Sequence, residues 1–232
     1  MNADSEPDPN SGLPVGRPVN AAPARRPGPV VLEGRYGRVE KLDAARHGQA
    51  LWDAMKNADA IWTYMGVGPF TDSDAFGAML ADRLAVDDPY SYAIVAPAGR
   101  ALGLASLMAI RPAMRVIEVG NIVYAPALQR TPLATEAQYL LARYVFEELG
   151  YRRYEWKCYA LNAASRRAAE RFGFTFEGIF RQHMIQKGQN RDTAWFSMLD
   201  SEWPTRKAGF EAWLDPANFD AAGEQKTKLS FA

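Results

Sequence analysis

The stretch Ala125-Pro126-Ala127-Leu128-Gln129-Arg130-Thr131-Pro132-Leu133-Ala134-Thr135-Glu136-Ala137 decides how this chain is read. Before it runs a strand-like segment, Arg115 to Tyr124. After it, Ala137, Leu140, Leu141, Tyr144, Val145 and Leu149 fall on one helical face until Gly150 stops the pattern. Thr131 suits the N-cap, where a side-chain oxygen takes one of the free amides. Pro132 suits the first helical position, where a missing N–H costs nothing. Unpaired amides at the positive end of a helix can hold a pyrophosphate, and Arg130 adds charge. An ordinary capped helix reads the same way, so the surroundings have to decide.

Working outward, Arg152 to Tyr159 is again strand-like, which makes the helix a crossover between two strands that lie parallel. Upstream, Tyr90–Ala96 and Ala101–Ile110 flank the turn Pro97-Ala98-Gly99-Arg100 as a hairpin. Earlier still, a first strand over Tyr36–Leu42 gives way at Asp43 to a helix with Leu51, Trp52 and Met55 inward. A second helix opens at Thr71 to Asp74 and turns Phe76, Met79, Leu80 and Leu84 inward. Downstream, Asn162–Phe172 is a short helix closed by Gly173. A last hairpin joins Ile179–Gln186 to Ala194–Leu199 through Lys187-Gly188-Gln189-Asn190, and a short helix spans Phe210–Leu214. The fold class is therefore α/β (α+β). We expect a mixed, mostly antiparallel sheet with a central strand–helix–strand crossover and helices on both faces. Residues 1–29, with seven prolines among them and few large apolar groups, read as a disordered tail, 30–216 as one domain, and 217–232 as a polar C-terminal tail.

Composition narrows the function. The 27 basic and 27 acidic side chains balance, which speaks against a nucleic-acid or membrane surface as partner. Cys158 is the single cysteine, so an internal disulfide and a cysteine-rich metal site are both excluded. His47 and His183 lack metal-ligand spacing, so no metal is expected. No apolar run reaches the roughly 18 residues of a membrane span, and the acidic, Pro-rich start is unlike a signal peptide. The expectation is a soluble cytoplasmic protein, with a homodimer left open.

A second segment, Asn162-Ala163-Ala164-Ser165-Arg166-Arg167-Ala168-Ala169-Glu170-Arg171-Phe172-Gly173-Phe174, carries the rest. Alone, Asn162 is an N-cap and Gly173-Phe174 a helix stop. Taken in order, however, the two segments resemble the GNAT superfamily of acetyltransferases, and within it the ribosomal-protein N-acetyltransferase-like branch. The motifs are the loop Gln129 to Ala134, then Ala134-Thr135-Glu136-Ala137, Asn162 with Ser165, and Gly173-Phe174-Thr175-Phe176-Glu177-Gly178. Lys187-Gly188 and Arg191-Asp192 fit that branch's closing hairpin. The likeness is detailed from about Val116 to Leu199 and only architectural from Val30 to Arg111.

The resemblance implies acetyl-CoA as cosubstrate and an unidentified amine as acceptor. It implies that the loop Gln129, Arg130, Thr131, Leu133 and Ala134 meets the CoA pyrophosphate. It also implies that Ile122, Val123 and Tyr124 meet the pantetheine arm through the main chain, and that Asn162 hydrogen-bonds the same arm. Ser165 would assist the departing thiolate. Glu118, on the strand before the loop, is the candidate base, a water-facing strand glutamate being the alternative; His183 is a lesser candidate. Cys158, on one strand face with Tyr154 and Trp156, reads as a core thiol rather than a nucleophile. Two departures from the family pattern stand out. Pro132 replaces a glycine and removes an amide donor, and Ala169 sits where many relatives carry a tyrosine acid. The implied function is direct N-acetyl transfer to a primary amine of a small molecule or a protein N-terminus. The rivals are a longer acyl donor and a non-catalytic acyl-CoA-binding module. Trp62, Tyr64, Phe70 and the Arg181–Arg191 region are the implied walls of the acceptor pocket.

Overall fold

The computed structural model describes residues 5–231. A small hairpin, β1 (Ser5–Pro7) and β2 (Pro14–Gly16), precedes the body. Then follow β3 (Val31–Glu33), β4 (Arg38–Lys41), α1 (Ala44–Met55), a 3-10 turn (Asp59–Trp62), α2 (Ser73–Leu84), β5 (Tyr90–Val95), β6 (Ala101–Arg111) and β7 (Val116–Tyr124). The second half holds α3 (Pro132–Arg143), whose last turns widen into a π-helix (Tyr144–Leu149), then β8 (Arg153–Tyr159), α4 (Ala163–Arg171), β9 (Thr175–Gln186), β10 (Gln189–Leu199) and α5 (Trp203–Leu214). Eight strands form one sheet in the order β3-β4-β5-β6-β7-β8-β10-β9. The β7–β8 pair is parallel, as the crossover requires, and the other six neighbouring pairs run antiparallel.

Side-chain oxygens start four of the helices. Asp43 accepts from the amides of Ala45 and Arg46, Asp72 from Ala75, Thr131 from Ala134 and Asn162 from Ser165. One face of the sheet is covered by α3, α5 and part of α4 through Ile117, Val119, Leu140, Tyr154, Trp156, Ala169 and Phe210. The other is covered by α1 and α2 through Leu51, Met55, Phe76, Leu80, Leu104 and Val123.

Several boundaries differ from the sequence reading. The first strand is preceded by β3, whose three residues are too few to show an alternating pattern. The last hairpin is longer and turns on Lys187 and Gly188 alone, with φ of 50° and 74°, so Gln189 and Asn190 belong to β10. The two termini are held against the body. The amides of Ala24 and Arg25 donate to Pro112 and Leu149 carbonyls, that of Gly28 to the Tyr144 hydroxyl, and Pro27 is buried. At the other end Phe231 packs on Phe210, while Asn218 is buried between the carbonyls of Trp213 and Thr227. Residues 1–4 and 232 of the expected tails lie outside the described residues.

Candidate active site

The parallel pair is short. Strands β7 and β8 match residue for residue only from Val116/Arg153 to Val119/Trp156, although β7 continues to Tyr124 and β8 to Tyr159. Beyond that row they part, leaving one edge of Gly120–Tyr124 unpaired on the β8 side. A bulge lies at the point of parting. Between Gly120 and Val123 the chain has one more residue than β6 opposite, and Asn121 takes the left-handed φ of 51°. Val119 therefore faces α3, while Val123, an even number of residues later, faces α1 and α2.

At one end of this opening stands the start of α3. Thr131 Oγ1 accepts from Ala134 N at 3.2 Å and donates to Leu128 O at 2.7 Å, and Thr131 N donates to the same carbonyl at 3.3 Å. Gln129 Nε2 donates to Tyr124 O at 3.1 Å, which ties the loop to the end of β7. Arg130, at φ 63°, forms the corner and its side chain is exposed. Thr131 and Ala134 thus serve the cap with their amides. Among the described hydrogen bonds the amides of Arg130 and Leu133 take no acceptor, and they remain for an anion. The side chain of Val123 is buried, and Ile122 and Tyr124 flank it on the open edge.

Across the opening lies α4. Asn162 Oδ1 caps the helix by accepting from Ser165 N at 3.0 Å, which leaves its Nδ2 donors free of the cap. Ser165 Oγ accepts from Trp156 Nε1 at 3.0 Å, so its own O–H is left to donate elsewhere. Trp156 belongs to the last paired row of the split, which sets Ser165 beside the opening on the α3 and α4 face. Cys158 is buried, and burial pushes its thiol up, as befits a core side chain. Ala169 is fully buried against the core and offers no hydroxyl there.

Glu118 faces the opposite side. It is 6% exposed, not a water-facing glutamate, and Lys157 Nζ sits 2.9 Å from its Oε2. Burial pushes its carboxyl above the usual range, and Lys157 pulls the other way. Lys157 also meets Glu155 at 3.0 Å and lies 4.0 Å over the Trp195 ring. Glu155 in turn takes Arg111 and Arg153, and Arg153 forks onto Glu177 at 2.8 and 2.5 Å. Lys157 and Trp195 were missed by sequence reading. Their signal was the alternation of Glu155, Lys157 and Tyr159 on the β8 face opposite Tyr154, Trp156 and Cys158.

The implied acceptor walls do come together. Gln186 Nε2 donates to Tyr64 O at 3.0 Å, and Lys187 Nζ to the carbonyls of Trp62 and Gly68 at 2.9 and 2.7 Å. Tyr64 packs on Tyr159, and Tyr159 donates to Asn190 O. Trp62, however, is 2% exposed and edge-on to Phe70 and Phe76, so it supports the wall from behind. His183 bonds Thr193 Oγ1 at 3.0 Å, on the hairpin beside Phe180 and Trp195.

Residues 39–175, more than half of the chain, match the family model for the Acetyltransferase (GNAT) domain. The chain belongs to the GNAT acetyltransferases. A GCN5-related N-acetyltransferase from Brucella melitensis is 50% identical with a TM-score of 0.88, covering 90% of this chain and 96% of its own. A GNAT-family acetyltransferase from Chromobacterium violaceum is 43% identical with a TM-score of 0.78, covering 83% and 98%. YdaF of Bacillus subtilis, a ribosomal N-acetyltransferase by assignment, is 31% identical over 109 residues. Those residues are 47% of this GNAT chain and 59% of YdaF, so the match spans little more than half of that relative. Among the described residues no helix is long and apolar enough to cross a membrane.

Proposed function

We propose that this GNAT protein moves the acetyl group of acetyl-CoA onto a primary amine, carried by a small molecule or by a protein N-terminus. The observation that carries the reading is the opening between β7 and β8, with Ser165 on one face of the sheet and Glu118 on the other. A donor and an acceptor can reach that gap from opposite sides. The donor fits the residues present. The open edge at Ile122 and the Tyr124 amide offer main-chain groups to an extended arm, and Asn162 Nδ2 adds a donor. The amides of Arg130 and Leu133, with the Arg130 guanidinium, suit a pyrophosphate.

The thioester supplies an activated carbonyl, and the remaining work falls to the protein. An ammonium cannot attack, so Glu118 accepts one of its protons, with Lys157 favouring the ionised carboxylate. As the C–N bond forms and the C–S bond breaks, Ser165 gives its hydroxyl proton to the sulfur and is restored by the proton that the new amide nitrogen sheds. The Trp156 N–H on its oxygen orients that hydroxyl and polarises it. Holding two reactants in line at the split supplies much of the acceleration, on the order of several kcal/mol.

The test is a titration with acetyl-CoA followed by CoA release over a panel of small amines and peptides with free N-termini. Saturable binding with one CoA released per amine acetylated is expected. Binding with no turnover on any amine would replace this reading with an acyl-CoA-binding module.

A further inference from the structure

Helix α2 turns Phe76, Met79, Leu80 and Arg83 inward. The first three join the apolar core, whereas the fourth is a guanidinium with 9% exposure. Elsewhere the fold matches buried charges with care: Glu40 meets Arg38, Arg46 and His47, Glu118 meets Lys157, and Glu155 meets three cations. Arg83 differs. Among the described residues it has no ion pair and no hydrogen bond, and its Nη1 is shut away from water without a partner. Burial alone pulls it down to about 10. Asp82 does not compensate, because adjacent helical side chains point about 100° apart and Asp82 is exposed. The C-terminal end of a helix favours a cation, but far less than desolvation penalises one.

Arg83 lines a cavity of about 400 Å³, well inside the size range of small-molecule sites. Asp82 also borders it. The other walls are apolar: Val67 and Phe70 from the loop before α2, Ala78, Met79 and Val86 from α2 and its end, and Pro89 before β5. No second cation lines it, so a phosphate dianion would find too few donors. One planar fork among apolar groups matches a carboxylate, which accepts two parallel N–H bonds. We infer that this cavity is a binding site, separate from the opening between β7 and β8, for a small molecule with one carboxylate on an apolar body, held by the Arg83 guanidinium.

Hexanoate and hexanamide, alike in length and differing in charge, are the probes. Calorimetric titration and thermal melting of the full chain should show saturable hexanoate binding and a raised Tm, with hexanamide at least tenfold weaker. In Arg83→Met the difference between the two should vanish, and the ligand-free variant should melt at or above the parent, since an unpaired buried charge has been replaced by an apolar chain. Equal behaviour of the two probes on the parent, or a preference for hexanoate that survives in Arg83→Met, overturns the inference. Should that variant not fold, Arg83→Lys decides: weaker hexanoate binding with the preference kept supports the site, and undiminished hexanoate binding overturns the role of the fork.

Discussion

The two faces of the sheet at the split are built by different means. On the α3 and α4 face the contacts that set Thr131, Asn162 and Ser165 are local. Thr131 reaches Ala134, Asn162 reaches Ser165, and Trp156 reaches Ser165 nine residues away. On the opposite face the contacts are distant in sequence. Lys157 meets Glu118 across 39 residues, Gln186 meets Tyr64 across 122, and Lys187 meets Trp62 across 125. The proposed donor side therefore depends on caps and strand edges. The proposed acceptor side depends on which side chains the whole fold gathers.

Substitutions that sharpen this contrast can be ordered by size. Glu118→Gln should have the largest effect, lowering turnover by about a hundredfold or more and flattening the acidic limb of the pH–rate profile. Acetyl-CoA affinity, measured by titration, should barely move. Next, Lys157→Met removes the cation that holds the buried carboxyl down. The acidic limb should then move to higher pH. Breaking a buried pair costs about 3 kcal/mol, measurable by urea unfolding. The sign of its pH dependence follows from the raised carboxyl. Stability contributed by a protonated Glu118 is present at low pH and lost as pH rises through its folded value, so Lys157→Met should be hurt more at pH 8 than at pH 5.

Effects on the other face should be smaller and of a different kind. Ser165→Ala should cut turnover about tenfold, below the usual span for a proton donor because a serine hydroxyl is a weak acid, with acetyl-CoA binding unchanged. Asn162→Ala should cost about 1 kcal/mol in stability, the usual cap penalty, and weaken acetyl-CoA binding in the same titration. Pro132→Gly restores one amide at the helix start and should tighten acetyl-CoA binding by at most about 1 kcal/mol. If Ser165→Ala or Asn162→Ala altered the choice among amines instead, the division between the faces would fail.

The same division explains what could be read in advance. Asp43, Thr131 and Asn162 announce helix starts because a cap is a contact within three residues, and the structure places all three at N-caps, with Asp72 the one of Thr71 to Asp74 that caps α2. The crossover and the hairpins follow from apolar periodicity. The acceptor side was legible only as a set of regions. Nothing local says that Lys157 will neutralise Glu118, or that Trp62 will lie behind the wall. Strand β3 was missed because three residues carry no period, and the docking of Ala24 to Gly28 because main-chain bonds leave no mark on composition.

The bulge at Asn121 can also be viewed as a phase slip. From Glu118 to Gly120 the strand alternates in step with β6, and from Val123 onward it is in step again, one residue late. Removing a single residue between them would restore the beat, and with it an unbroken, better-bonded β7. The opening is thus not carved by bulky groups but written as a surplus of one residue, so this stretch should tolerate exchanges of side chain far better than any change of length.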